Sequence, residues 1–129
     1  MVIDSSALVA IFLNEPERPH FLELISQADK KLLSAASVVE SGIVLETRAG
    51  PAIAREFDLF LHEADIEIVS VDEVQADRAQ MAHRKFGKGN HRAGLNFGDC
   101  FTHALATVAG EPVLAKGPEF SLADLQVLA

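Results

Sequence analysis

The sequence predicts an α/β domain built on a mostly parallel central sheet of four to five strands with helices on both faces. Two observations carry that expectation. Short apolar runs of strand character alternate with longer stretches of helical period, and strands separated by helices pair in parallel through right-handed crossovers. In addition, three acids, Asp4, Glu40 and Asp99, each stand where a strand-like run or a turn hands over to a helical stretch. In an open α/β sheet such junctions line one crevice, so acids scattered along the chain can converge there and hold a divalent cation.

The elements follow in order. Val2-Ile3 is a short buried run ending at Asp4, after which Ser5 or Ser6 can cap a helix through Leu8, Val9, Phe12 and Leu13 until Asn14-Glu15-Pro16 breaks it. Phe21, Leu24, Ile25 and Ala28 share one face of a second helix, and Lys31 to Ala35 forms a short strand. Ser37 is expected to open a helix holding Val39, Ile43 and Val44, which runs to about Arg48 before Gly50-Pro51. Ile53, Phe57, Phe60, Leu61 and Ala64 mark an amphipathic helix, Ile66 to Val71 is the clearest strand, and Asp72 starts a helix ending near Phe86. A Gly- and cation-rich loop, Gly87 to Arg92, follows. Asn96 to Ala109 then reads as a buried helix with Phe97, Phe101, Leu105 and Val108 on one stripe, closed by Gly110. Pro112 to Ala115 is a further strand, and a last short strand is expected within Phe120 to Leu128.

With 129 residues and 49% hydrophobic content, the chain suffices for one core, and residues 1–129 are expected to form a single domain. A net charge of −8 gives no long-range attraction for a polyanion, so nucleic acid must be met locally. One cysteine, Cys100, rules out an internal disulfide and suits a buried thiol in a reducing compartment. There is no basic n-region, and no apolar run approaches the ~18 residues of a membrane span, so a cytoplasmic protein without membrane attachment is expected.

Each acid also has a structural reading. Ser37-Val38-Val39-Glu40 fits a capping box, and Asn96-Phe97-Gly98-Asp99 has the same layout, with the helix dipole favouring an acid in the first turn. Asp4 is harder to explain that way, because a charge at the edge of a buried strand is costly unless something pairs with it. Acids drawn together repel unless protons or metal neutralise them. The oxygen donors, with no Cys pair and no His at zinc spacing, favour Mg²⁺, with Mn²⁺ able to substitute, over Zn²⁺.

Four segments in this order, Val-Ile-Asp-Ser-Ser-Ala-Leu at 2–8, Ser-Val-Val-Glu at 37–40, Leu-Asn-Phe-Gly-Asp-Cys-Phe at 95–101 and Leu-Ala-Lys-Gly-Pro-Glu-Phe at 114–120, resemble those of PIN-domain ribonucleases. The chain is similar, over essentially its full length, to VapC toxins of bacterial type II toxin–antitoxin systems. That resemblance implies a PIN-like α/β/α sandwich and a Mg²⁺-dependent endoribonuclease neutralised by a cognate VapB-type antitoxin. It also implies a homodimer. Asp4, Glu40 and Asp99 match the family's metal-binding, catalytic acids, and Ser6 matches the small polar residue supporting the first. A fourth acid, commonly Asp, usually stands just before a Phe near the C-terminus. Here Glu119 precedes Phe120, with Asp124 further on, so the fourth position lies between Glu119, Asp124 and neither, Glu119 first.

Arg84, Lys85, Lys88, His91 and Arg92 cluster at one helix end and loop, which makes them candidates for the RNA backbone or a solvated helix terminus. Lys116 and Arg48 are further cationic candidates. The aromatics are eight Phe at core-like spacing, with no Trp or Tyr, so no stacking platform is expected. Two rivals from other classes remain. A phosphotransfer domain also sets acids and Mg²⁺ at strand ends, but Asp4-Ser5-Ser6 lacks a second Asp two residues on, and no Lys follows a late strand where a receiver needs it. The other rival is a catalytically silent PIN-like RNA- or protein-binding module.

Overall fold

A computed structural model describes all of residues 1–129. Four strands, β1 (Val2–Ile3), β2 (Leu32–Ser34), β3 (Glu67–Val69) and β4 (Val113–Leu114), form one sheet in the order β3-β2-β1-β4, with every pairing parallel. Seven helices connect them: α1 (Ser5–Phe12), α2 (Arg18–Gln27), α3 (Ala35–Ala49), α4 (Ile53–Glu63), α5 (Glu73–Phe86), α6 (Phe97–Ala109) and α7 (Glu119–Leu122).

The strands are very short; β1, β2 and β4 are buried on both sides, whereas the edge strand β3 is largely exposed, and alternation sorts the buried side chains. Ile3, Leu33 and Leu114 pack with Leu8, Ile11, Phe21, Leu45, Phe57 and Leu61 from α1 to α4. Val2, Leu32 and Val113 face the opposite layer, where Ala79, Ala82 and Phe86 of α5 meet Cys100, Ala104 and Leu105 of α6. The expected α/β/α sandwich is therefore present. Small residues set the α5–α6 contact, because Ala and Cys let two backbones approach where larger side chains would hold them apart.

The order of the strands fixes where a site can form. The first two crossovers run outward from β1 to β2 and β3, whereas the third returns through α5 and α6 to β4 on the other side of β1. The direction in which the crossovers step across the sheet thus reverses between β1 and β4. At such a switch point the loops leaving the carboxyl ends of the two strands part and open a crevice.

Several local expectations are corrected. The cap of α1 is Asp4, whose carboxylate accepts the Ser6 N–H, and not Ser5 or Ser6. Helix α3 begins at Ala35 under an Ser34 cap, three residues before the expected start. Ala35 and Ala36 are strong helix formers and extend the helix toward the sheet. Ser37 therefore lies within the helix, the Ser37–Glu40 capping box does not exist, and Val39 and Ile43 point outward. In α6 the buried stripe is Cys100, Ala104 and Leu105, while Phe97 and Val108 are exposed. The tail forms the short helix α7 and contributes only a parallel bridge from Val127 to Val113. No helix is long and apolar enough to cross a membrane.

Leu33 is fully buried at the centre of this arrangement, so Leu33→Ala is expected to cost about 2–5 kcal/mol in denaturant unfolding, from lost transfer energy and the cavity left behind. Val39→Ala, at 60% exposure, should stay within about 0.5 kcal/mol.

Candidate active site

The crevice at the switch point is a cleft of about 320 Å³ whose walls include Asp4, Ser5, Ser6, Glu40, Asp99 and Glu119. Four acids expected from the sequence thus arrive in one place from four elements. Asp4 follows β1, Glu40 projects from the second turn of α3, Asp99 from the first turn of α6, and Glu119 opens α7 just after β4.

Asp4 is 2% exposed, and its burial is offset by two donors. Thr102 Oγ1 donates to Oδ1 at 2.6 Å, and the Ser6 N–H donates to Oδ2 at 3.0 Å. Because the Thr102 hydroxyl proton is committed to Asp4, the 3.4 Å contact between Thr102 and buried Ser37 makes Ser37 the donor to Thr102. A relay of hydroxyls from α3 through α6 holds the Asp4 carboxylate. Ser6 has a second task, since its Oγ accepts the Lys116 N–H at 3.0 Å and ties the β4–α7 loop to α1.

Glu40 is positioned by Ser5, whose hydroxyl donates to Oε1 at 2.6 Å. Its other oxygen, Oε2, lies against Gly98, where a Cβ would come within 2.1 Å of it. Gly98 therefore leaves room for a carboxylate. Glu119 folds over Gly117 in the same manner, with φ +102° at that glycine and 2.4 Å from a Cβ there to Oε2.

Asp99 is both a cap and a member of the acid group. Its carboxylate accepts the Asn96 N–H while Asn96 accepts the Asp99 N–H, so this capping box is formed. The Asp99 pKa is nevertheless pushed up to about 6, chiefly by burial, and then by the charges of Asp4, Glu119 and Glu40; the Asn96 hydrogen bond opposes the shift. The charges of the three neighbouring acids thus add to an upward push that burial begins.

No cation compensates them. Lys116 is the only basic residue lining the cleft, and its ammonium is engaged by Glu15 at 2.7 Å and Glu17 at 3.2 Å, which raise its pKa. No three His, Cys, Asp or Glu side chains close into a ready-made cage. The acids stand as separate walls of one cleft, an arrangement that suits a hard cation retaining several waters rather than a fully protein-ligated one. Oxygen-only donors and uncompensated negative charge fit Mg²⁺ or Mn²⁺.

The remaining candidates divide. Asp124 lies outside the cleft, exposed and 3.9 Å from Lys85, so of the two possible fourth acids only Glu119 faces the others. Arg84, Lys85, Lys88 and Arg92 do not form one patch. Lys85 turns toward Asp124 and the Phe86 ring, Arg84 faces a groove between α5 and α6, and Lys88 and Arg92 are exposed on the loop. His91 is structural: its Nδ1 accepts the Ala93 N–H, and its ring meets Phe86 edge-on at 5.2 Å. Arg48 does not line the cleft. Cys100 is buried, and burial followed by the Asp99 charge pushes its thiol pKa up, which makes it inert. Sequence reasoning missed Thr102 and Ser5. The available signal was position, since Thr102 lies three residues after Asp99 and shares its helix face.

Two outcomes follow for variants in metal-free buffer. Folded Asp99 binds its proton more tightly than an unfolded Asp, so its contribution to stability is full below about pH 3.8 and is lost as pH rises through about 6. Asp99→Asn keeps an acceptor for the cap and removes the charge. It is expected to unfold about 1 kcal/mol later than the parent at pH 7.5 in EDTA, the shift being discounted for the carboxylate's partial exposure, and to lose that advantage near pH 4. Lower stability at both pH values would make the cap its main role. Gly98→Ala should keep or raise the melting temperature, as Ala favours the helix by up to about 1 kcal/mol, while its Cβ displaces the Glu40 carboxylate from its place against Gly98.

A family model for the PIN domain matches residues 1–125. Ribonuclease VapC of Mycolicibacterium smegmatis is 50% identical over 125 residues, covering 97% of each chain. Ribonuclease VapC30 of Mycobacterium tuberculosis is 46% identical over 129 residues, covering 100% of this chain and 98% of the relative. Among solved structures, VapC20 of M. tuberculosis, described as a sarcin-ricin loop cleaving toxin, superposes with a TM-score of 0.78 at 18% identity, covering 98% of this chain and 97% of that one. A chain of a toxin–antitoxin complex from Klebsiella pneumoniae gives 0.70 at 14% identity, covering 92% and 87%. The structures agree in fold and the relatives in sequence along the whole length, and the chain belongs to the PIN-domain family, among the VapC proteins.

Proposed function

We propose that this chain is a metal-dependent endoribonuclease and the toxin half of a bacterial toxin–antitoxin pair, acting in the cytoplasm. The observation that carries the reading is the convergence of Asp4, Glu40, Asp99 and Glu119 on one cleft at the switch point, without a cation to balance them. The names of full-length relatives at 46–50% identity support RNA as the substrate.

Asp4 and Asp99 are the residues to hold Mg²⁺ or Mn²⁺, with Glu40 and Glu119 completing the donor set. The ion, when bound, supplies Lewis-acid stabilisation of the phosphodiester and lowers the pKa of a water in its coordination shell. The protein's own contribution is orientation. Thr102 and Ser6 leave Asp4 little freedom, and Ser5 fixes one oxygen of Glu40 so that the other can ligate or take a proton from the attacking water. Holding these groups before substrate arrives removes reorganisation from the barrier.

The same cleft suits an antitoxin. A ring of carboxylates is complementary to an inserted Arg, whose planar guanidinium pairs with two oxygens at once. The fold shared with a chain of a toxin–antitoxin complex supports a VapB-type partner, and the exposed Val39 and Ile43 on α3 offer apolar surface for a homodimer or that partner.

Antitoxin-free protein incubated with a panel of structured RNAs should produce discrete cuts with Mg²⁺ or Mn²⁺ and none in EDTA. Asp4→Asn, purified identically, should lose at least about 100-fold in rate. Cuts that survive EDTA or the substitution would remove the cleft from the chemistry. Absence of both cleavage and calorimetric metal binding would replace this reading with the silent binding module.

A further inference from the structure

Phe97 is 78% exposed at the first position of α6. An unburied phenyl ring forgoes roughly 1.5–3 kcal/mol of transfer free energy, which a ligand covering it would recover. The ring is supported rather than loose: Phe101, one turn on, meets it edge to face at a centroid distance of 5.0 Å and 87°. It lines a groove of about 570 Å³ between α5 and α6, together with Gln80, His83, Arg84, Asn90 and Phe101.

That groove begins where the acid cleft ends. Asn96 lines the cleft and Phe97 the groove, so one residue step separates the two walls. The chemistry changes with it, from carboxylates to an aromatic ring beside amides, an imidazole and a guanidinium. Arg84 takes part in none of the molecule's ion pairs. In a chain of net charge −8, this unpaired cation is local positive charge in the groove that adjoins the cleft. Ala76, Ala79 and Cys100 add apolar surface to the groove, and its continuity with the acid cleft through Asn96 and Phe97, with Arg84 in its wall, favours a nucleotide: an unpaired base offers a π-face to the ring, and its flanking phosphate offers a charge to Arg84.

We propose that Phe97 is a stacking platform for an unpaired base of the RNA next to the bond that is cut, with Arg84 on the adjoining phosphate. This inference rests on the ribonuclease reading for its substrate. It assigns the preferred substrate as RNA with a splayed base, in a loop, bulge or single strand, over continuous duplex.

The chain contains no Trp or Tyr, so Phe97→Trp introduces the sole indole and makes the position report on itself. In an Asp4→Asn background, which keeps the RNA intact, titration with a single-stranded oligoribonucleotide should quench that emission saturably, and a fully paired duplex of equal length should not. Phe97→Ala should weaken single-strand binding about ten-fold. Phe97→Tyr should stay within about two-fold of the parent, and Phe97→Leu should behave as the alanine variant, all with unchanged melting temperature and sedimentation. Absent quenching, or a leucine variant as good as the tyrosine one, would overturn the platform while leaving metal-dependent cleavage by the parent protein untouched. Emission that changes with protein concentration alone, together with altered sedimentation of Phe97→Ala, would make the ring an interface between copies and overturn it equally. Because binding is read without cleavage, failure of the ribonuclease reading shows separately, as quenching by RNA that the parent protein does not cut.

Discussion

The buried hydrogen bond from Thr102 to Asp4 is the contact on which the rest of the site depends. A carboxylate 2% exposed is tolerable only when its oxygens are met by donors, and a broken partner would leave a charge stranded against the sheet. Satisfying Asp4 also fixes three elements. Its Oδ2 caps α1, its Oδ1 draws α6 against β1, and Ser37 behind Thr102 brings α3 into register. One charge that must not be left unpaired thereby aligns the helices that carry Glu40 and Asp99.

Topology explains why these residues meet when 95 positions separate Asp4 from Asp99 in the sequence. Only between β1 and β4 does the direction of crossover reverse, and only there do loops diverge enough to leave a cleft. The acids sit at or near the first turns of helices that start from this edge, where the dipole favours negative charge. At Asp99 burial and three neighbouring acids outweigh that preference, as its upward shift shows. The site thus holds more negative charge than its own backbone can stabilise, and the deficit is what a hard cation would relieve.

Much of this was legible in residue order. The alternation of apolar runs and helical periods was enough for the parallel sheet, and the position of acids after strands was enough to gather Asp4, Glu40 and Asp99. What stayed hidden were hydroxyls and faces. Ser5 and Thr102 look like ordinary helix residues until a carboxylate from another element is placed beside them. The start of α3 was misplaced because Ser34 and Ser37 both satisfy the capping pattern, and only the strong helix preference of Ala35-Ala36 separates them. The stripe on α6 was misassigned because phenyl rings dominate a hydrophobic count. The contact with α5 instead selects Cys100 and Ala104, residues small enough for close packing against Ala79 and Ala82.

That same selection turns the large rings outward. The α5–α6 contact is made by small side chains, and Phe97 lies outside it, projecting from the turn that also carries Asn96, Gly98 and Asp99. Four consecutive residues then do different work. Asn96 caps the helix, Phe97 faces the α5–α6 groove, Gly98 leaves space for Glu40, and Asp99 joins the acids. The four tasks are coupled through the backbone, because the capping box sets the backbone and the backbone sets where each side chain leaves it. A helix N-terminus that is rigid because it is capped can present an acid to one groove and a ring to the next at a fixed separation, and a fixed separation is what acting on one bond of a flexible polymer requires.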